Sequence, residues 1–90
     1  MTFEYDIAKS EANKTKHGVN FEEAKQVWED EDIVLLDSPF IEECRKLAIG
    51  RLYNKIWTVV FTTRNNKIRI ISARRSRESE VAYYEKHRKN

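Results

Sequence analysis

Two alternating runs, "KIWTVVFTT" at 55–63 and "KIRIISA" at 67–73, meet across Asn65 and Asn66, and this junction limits the fold more than any other feature. In the first run Trp57, Val59 and Phe61 share one side and Ile56, Thr58 and Val60 the other, which is the period of a strand. Asparagine tolerates the positive φ of a tight hairpin, so the two runs are expected to pair antiparallel. Tyr53 and Asn54 make a similar joint with the preceding "CRKLAIGRL", where Leu47 and Ile49 alternate. The earlier run "DIVLLD" is a further short strand, expected to end at Pro39. Such tight joints leave no room for the crossover of a parallel pair, so the expectation is an antiparallel sheet of three to four strands. A short extra strand over 2–5 is compatible with the pattern.

Helical signals flank these strands. "YDIAKSEANKTKHG" has Asp6 as an N-cap and Gly18 after Lys14, Lys16 and His17, whose charges suit the carbonyl end of a helix. Its apolar face is thin (Ile7, Ala8, Ala12), which predicts peripheral packing. "VNFEEAKQVWED" reads as a second helix, with Asn20 and Glu23 in capping-box spacing. "SRESEVAYYEKHRK" reads as a last helix capped by Ser76, with Glu78 in its first turn. The class is therefore α+β, with two N-terminal helices, the sheet, and a C-terminal helix in one domain spanning 1–90. Trp28, Trp57, Phe21, Val59 and Phe61 are assigned to the core.

Charge separates along the chain. Residues 1–43 carry 12 acidic and 4 basic side chains, while residues 44–90 carry 13 basic and 3 acidic ones. Between Arg64 and Arg77 lie six basic residues and no acid, which points to a polyanionic partner. No apolar run approaches the ~20 residues that span a bilayer, and the N-terminus has no signal-peptide h-region. A single cysteine, Cys44, fits a reducing cytoplasm.

The segments "FEYDIAKSEANKTKHGVNFEEAKQVWED", "RKLAIG" and "WTVVFTTRNNKIRIISARRSRESEVAYYE" together resemble the BrnT toxins of bacterial type II toxin–antitoxin pairs. "KHGVNFEEA" and "RIISARR" are the most specific parts; Tyr5 stands where a Trp is common and Ser76 where an Ala is common. The resemblance implies a compact fold similar to the RelE ribonucleases and a ribonuclease activity that halts translation. It also implies neutralisation by a BrnA antitoxin with a ribbon-helix-helix domain. Contact with operator DNA would then run through the antitoxin alone, and a homodimer within the toxin–antitoxin complex stays open.

Cleaving RNA without a metal needs a base for the 2′-hydroxyl proton, cations for the scissile phosphate, and an acid for the leaving oxygen. His17 and His87 have no ligand-spaced companions, so no metal or other cofactor is expected. Arg64, Arg74 and Arg75 are candidates for phosphate chemistry, since guanidinium groups grip phosphate bidentately. Strict alternation would put Lys67, Arg69, Ile71 and Ala73 on one face of the last strand, and Ile68, Ile70 and Ser72 on the other. Singly, Lys67 and Arg69 read as the solvent face of an edge or half-exposed strand. The set Arg64, Arg74, Arg75 and Arg77 reads as a functional surface, because so many unopposed cations cost repulsion without a structural return. His17 is either a proton-transfer group or a C-terminal cap residue. Glu80 is either a base among cations or a partner for Arg74 or Arg77. Tyr83 could stack on a base, and Tyr84 is a core ring with its phenol at the rim of the RNA surface. The catalytic candidates are thus Arg64, Arg74, Arg75, Glu80 and His17, and the RNA-binding ones Lys67, Arg69, Arg77, Tyr83 and Tyr84. The rival function is a non-catalytic basic module for RNA or an acidic protein.

Overall fold

Positive φ angles at Tyr53, Asn54, Asn65 and Asn66 close two tight hairpins, as the asparagine pattern requires. In the computed structural model, which describes residues 2–38 and 44–88, these hairpins join β3 (Lys46–Leu52), β4 (Lys55–Arg64) and β5 (Lys67–Arg75). The chain before them forms β1 (Thr2–Glu4), α1 (Ile7–His17), α2 (Phe21–Ala24), a 3₁₀ segment (Lys25–Glu29) and β2 (Val34–Asp37), and α3 (Glu78–Lys86) follows. Pro39, expected to end β2, lies outside the described residues.

The sheet has five strands in the order β1-β5-β4-β3-β2. β1 pairs parallel with β5, Phe3 opposite Ile68, so the sheet is mixed and not the three- to four-stranded antiparallel one that the turns predict. Hairpin joints constrain only neighbouring strands. The long crossover of this parallel pair is the whole chain between β1 and β5.

A β-bulge corrects a second expectation. Val60 pairs with Ser72 but Phe61 pairs with Ile70, leaving Ile71 as an extra residue in β5. Beyond it the phase of the side chains reverses, so Ile68, Ile70 and Ala73 all enter the core. Ala73 therefore does not share a face with Arg69.

The first face of the sheet carries α1, α2 and the 3₁₀ segment. Val19, Phe21, Ala24 and Val27 pack there on Ala48, Trp57, Val59, Phe61, Ile70 and Ala73. Trp28 is half-buried and sits edge-on between Phe3 and Phe61, with both centroid distances 5.1 Å. The second helix does not run on as an α-helix. Asn20 and Glu23 form the expected capping box, but after one turn the chain tightens to 3₁₀ geometry against β3. A Cβ on Gly50 would lie 2.8 Å from Val27 Cγ1, so this close approach depends on glycine.

The Asp6 and Gly18 caps of α1 form as expected. The helix docks, however, through polar side chains, while Ile7 is 71% exposed and Ala8 and Ala12 also face solvent. Buried Asn13 donates to the Val19 and Ala73 carbonyls at 2.7 and 2.9 Å and accepts from the Ala73 N–H at 3.2 Å. Ser10 Oγ accepts the Phe21 N–H at 2.8 Å. Hydrogen bonds to buried backbone, rather than an apolar stripe, hold this helix.

The second face carries α3. Fully buried Thr58 lies on this face, and buried Tyr84 anchors the helix by donating to Asp30 Oδ2 at 2.6 Å. The same oxygen accepts the Arg51 N–H at 2.8 Å, beyond the last β2–β3 pair. Burial and the Asp30 carboxylate push the Tyr84 phenol up to about 12. Ser76 is not the helix cap. Arg77 takes the N-cap position, and the Glu80 carboxylate accepts its N–H at 2.8 Å.

Candidate functional site

The reversed phase of β5 sends Arg74 to the α3 face, directly opposite Thr58 on β4. One helical turn into α3, Glu80 returns over the same spot. Arg74 grips it with both guanidinium nitrogens, Nη1 to Oε1 at 2.8 Å and Nη2 to Oε2 at 2.9 Å. The side chains are 21% and 13% exposed, so water screens the pair weakly. Oε1 also accepts from Thr58 Oγ1 at 2.9 Å and from the Arg77 N–H at 2.8 Å. Burial alone would raise the Glu80 carboxyl; the Arg74 guanidinium, the Arg77 N–H and the Thr58 hydroxyl outweigh it and hold the group down at about 2. The Glu80 hydrogen bond in turn pushes Arg74 above the usual guanidinium value, against its burial.

This pair forms one wall of a cleft of about 400 Å³. Half-buried Leu47 and Val60 make its apolar floor, and Ser38, Arg45 and Arg77 complete it. Neither Arg45 nor Arg77 has a side-chain carboxylate partner among the described residues. Among the described residues the cleft thus combines three guanidinium groups, one ionised carboxylate and a small apolar surface. It can hold a phosphodiester with its sugar or base against the floor, and it offers an oxygen that can accept a proton.

The other sequence candidates lie elsewhere. Arg64 and Lys67 face each other at the exposed tip of the β4–β5 hairpin. At ~3.4 Å per residue, the tip is roughly 20 Å from Arg74. Arg69 is paired with Glu4 of β1 at 3.4 Å. Arg75 points to the first face, its guanidinium carbon 5.9 Å from the centre of the Trp57 ring. His17 is the last residue of α1, in the layer on the far side of the sheet from Glu80. Tyr83 is 38% exposed and stacks on His87 at 4.1 Å. Tyr84 is buried, so its ring offers no face to a base. Of the candidates, the structure gathers Arg74, Arg77 and Glu80 in one cleft.

Two residues of the site escape a reading by local runs. Arg45 lies 29 positions before Arg74 in the sequence. Thr58 reads as an ordinary strand residue. The signal for both lies in the hairpin registers: Tyr53–Asn54 sets Leu47 opposite Val60, and Val60 lies opposite Ser72.

A larger apolar groove of about 580 Å³ runs along Trp28, Ile33, Leu35, Phe61 and Ile68 on the first face. Among the described residues its only ionisable lining side chains, Asp37 and Lys46, are joined to each other at 3.1 Å. It lacks the cation set of the smaller cleft. Among the described residues no three His, Cys, Asp or Glu side chains gather so as to hold a metal ion.

No curated protein matches the chain. Residues 5–80 match the family model for the ribonuclease toxin BrnT of type II toxin–antitoxin systems. The match covers the cleft residues Ser38, Arg45, Leu47, Val60, Arg74, Arg77 and Glu80, and Thr58 buried behind them. The chain therefore belongs to the BrnT family of ribonuclease toxins, whose target is RNA and whose counterpart is an antitoxin.

Proposed function

We propose that the cleft beside α3 is the active site of an endoribonuclease that needs no metal ion and stops translation by cutting RNA. The observation that carries this reading is the Arg74–Glu80 pair, placed on a cleft wall next to Arg45 and Arg77. Arg74, Arg77 and Arg45 hold the scissile phosphate and offset the charge that grows on it. Glu80 takes the 2′-hydroxyl proton as the 2′-oxygen attacks phosphorus. The P–O5′ bond breaks, and the 5′ oxygen takes a proton from water in the open cleft. The products are a 2′,3′-cyclic phosphate and a 5′-hydroxyl end. Leu47 and Val60 receive the sugar or base next to the phosphate. His17 serves as the last residue of α1, beside the Gly18 cap, and takes no part in the chemistry.

The antitoxin in this reading is a BrnA-like protein whose ribbon-helix-helix domain carries the contact with operator DNA. Support comes from the family, and from a cluster of guanidinium groups that an acidic antitoxin segment could cover.

The test uses the chain freed of antitoxin, incubated with RNA in the presence of a chelator. New 2′,3′-cyclic phosphate ends are expected, with Arg74→Ala and Glu80→Gln each slowing their appearance at least about 100-fold. RNA that is retarded on a gel but stays intact would instead support the rival reading, a binding module.

A further inference from the structure

Thr58 is 0% exposed, and its hydroxyl is a polar group on an otherwise apolar stretch of β4. It lies 2.9 Å from Glu80 Oε1 and 2.7 Å from Ser76 Oγ. The directions of these bonds follow from proton counting. An ionised carboxylate only accepts, so Thr58 gives its single proton to Glu80, and Ser76 must then donate to Thr58. Ser76 is itself fixed, because its N–H donates to the Ile56 carbonyl at 3.0 Å and continues the β4–β5 ladder by one residue.

The two oxygens of Glu80 are therefore unequal. Oε1 accepts from Arg74, Thr58 and the Arg77 N–H, while among the described residues Oε2 accepts from Arg74 alone. A substrate phosphate entering the cleft competes with Glu80 for Arg74. When it wins, Oε2 loses its one donor, whereas Oε1 stays tethered to the sheet and to the start of α3.

We propose that Thr58, oriented by Ser76, is a positioning residue that holds Glu80 by Oε1, so that binding of the phosphodiester to Arg74 frees Oε2 as the proton-accepting atom. This rests on the reading of Glu80 as the base. Substrate binding then activates its own base, since loss of the Arg74 bonds removes the largest influence that keeps this carboxylate a poor proton acceptor. Without the Thr58 tether the Arg77 N–H alone of the described donors would hold the freed carboxylate, which would point at the 2′-hydroxyl a smaller part of the time.

Thr58→Val keeps the branched shape and removes the donor. The variant is expected to cleave RNA with kcat lowered about tenfold, as for loss of one hydrogen bond to a charged group, and with KM unchanged. The acidic limb of its kcat/KM profile moves to higher pH, because one donor to the ionised carboxylate is gone. Thr58→Ser, which retains the hydroxyl, is expected to restore both. A kcat within about twofold of the parent, or a slow variant whose acidic limb has not moved, overturns the proposal. Should Thr58→Val not fold, Ser76→Ala at a half-buried position carries the same test. A smaller shift of the limb in the same direction is expected, and no shift overturns the proposal. Glu80→Gln run in parallel separates the two levels: if it cleaves like the parent, the active-site reading itself falls. If it is inactive while Thr58→Val is parental, only the role of Thr58 falls.

Discussion

The two ends of β5 carry the same kind of residue in different company. At the hairpin end, Arg64 and Lys67 stand exposed across from each other, and Arg69 leans on Glu4 at the sheet edge. At the other end Arg74 is 21% exposed, held in two bonds by Glu80, and shares a cleft with Arg45 and Arg77. Counting charge treats these ends alike. They differ in cover: α3 lies over the second end, and the bulge at Ile71 turns Arg74 toward it. Without that extra residue, position 74 would fall on the same face as Ile68 and Ile70, under the first helical layer. On the proposed reading, cations become a site where the fold gives them an apolar floor, a fixed carboxylate and partial shelter from water.

The largest effect that would break this comparison is on catalysis. Arg74→Ala is expected to slow RNA cleavage at least about 100-fold, the scale for loss of a charge-stabilising donor. Circular dichroism should show the variant folded, because α1, α2 and the first-face core lie across the sheet from this side chain. If it cuts RNA at the parental rate, the end of β5 beneath α3 is no more a site than the tip.

Much of this was legible in the sequence, though not all by the same kind of signal. Asp6, Asn20 and Gly18 mark helix ends because capping is local, and the asparagine turns mark hairpins because φ is local. Arg74, Arg77 and Glu80 lie within seven residues, so a single run contains them. The parallel β1–β5 pair joins segments more than sixty residues apart, and three residues carry too little pattern to predict it. The bulge is silent because Ile70 and Ile71 are both apolar, and either could have been the one facing inward. Arg45 and Thr58 come from other strands and become visible only once the registers are known. The polar docking of α1 was hidden because hydrophobic periodicity cannot register an asparagine that takes up backbone groups.

That docking gives the second prediction, which contrasts the two faces of the sheet. Asn13→Ala leaves buried groups at Ala73 and Val19 without partners and is expected to destabilise the fold by about 2–3 kcal/mol. For a chain of this size that lowers Tm by on the order of 10 °C, measurable by thermal melting. The kcat of the folded fraction should stay parental, since no residue of α1 lines the cleft. A lowered kcat in folded protein would show that the first face takes part in the chemistry.

The third prediction concerns acid. The Glu80 carboxyl is depressed from 4.5 to about 2 in the folded chain. Its contribution to stability is therefore fully present above about pH 4.5 and is lost as pH falls toward about 2. Denaturant unfolding of the parent should weaken through that window, and Glu80→Gln should flatten this part of the profile. A parental slope in Glu80→Gln would mean that the ion pair beneath α3 is no more stabilising than an exposed one.

The smallest expected effect belongs to the hairpin tip. Arg64→Ala combined with Lys67→Ala removes two exposed cations roughly 20 Å from the cleft, too far to touch the scissile phosphate but within reach of an RNA strand several nucleotides long. Such cations act through counterion release, so their removal should raise KM about threefold and leave kcat alone. The slope of log binding constant against log salt should fall by ~0.7 for each phosphate that the variant no longer neutralises. Unchanged KM and slope would mean that RNA leaves the cleft in another direction, along the β3 side past Arg45. A kcat reduced as far as that of Arg74→Ala would erase the difference between the two ends, because exposed cations at a distance would then control a chemical step that only contact or positioning can influence.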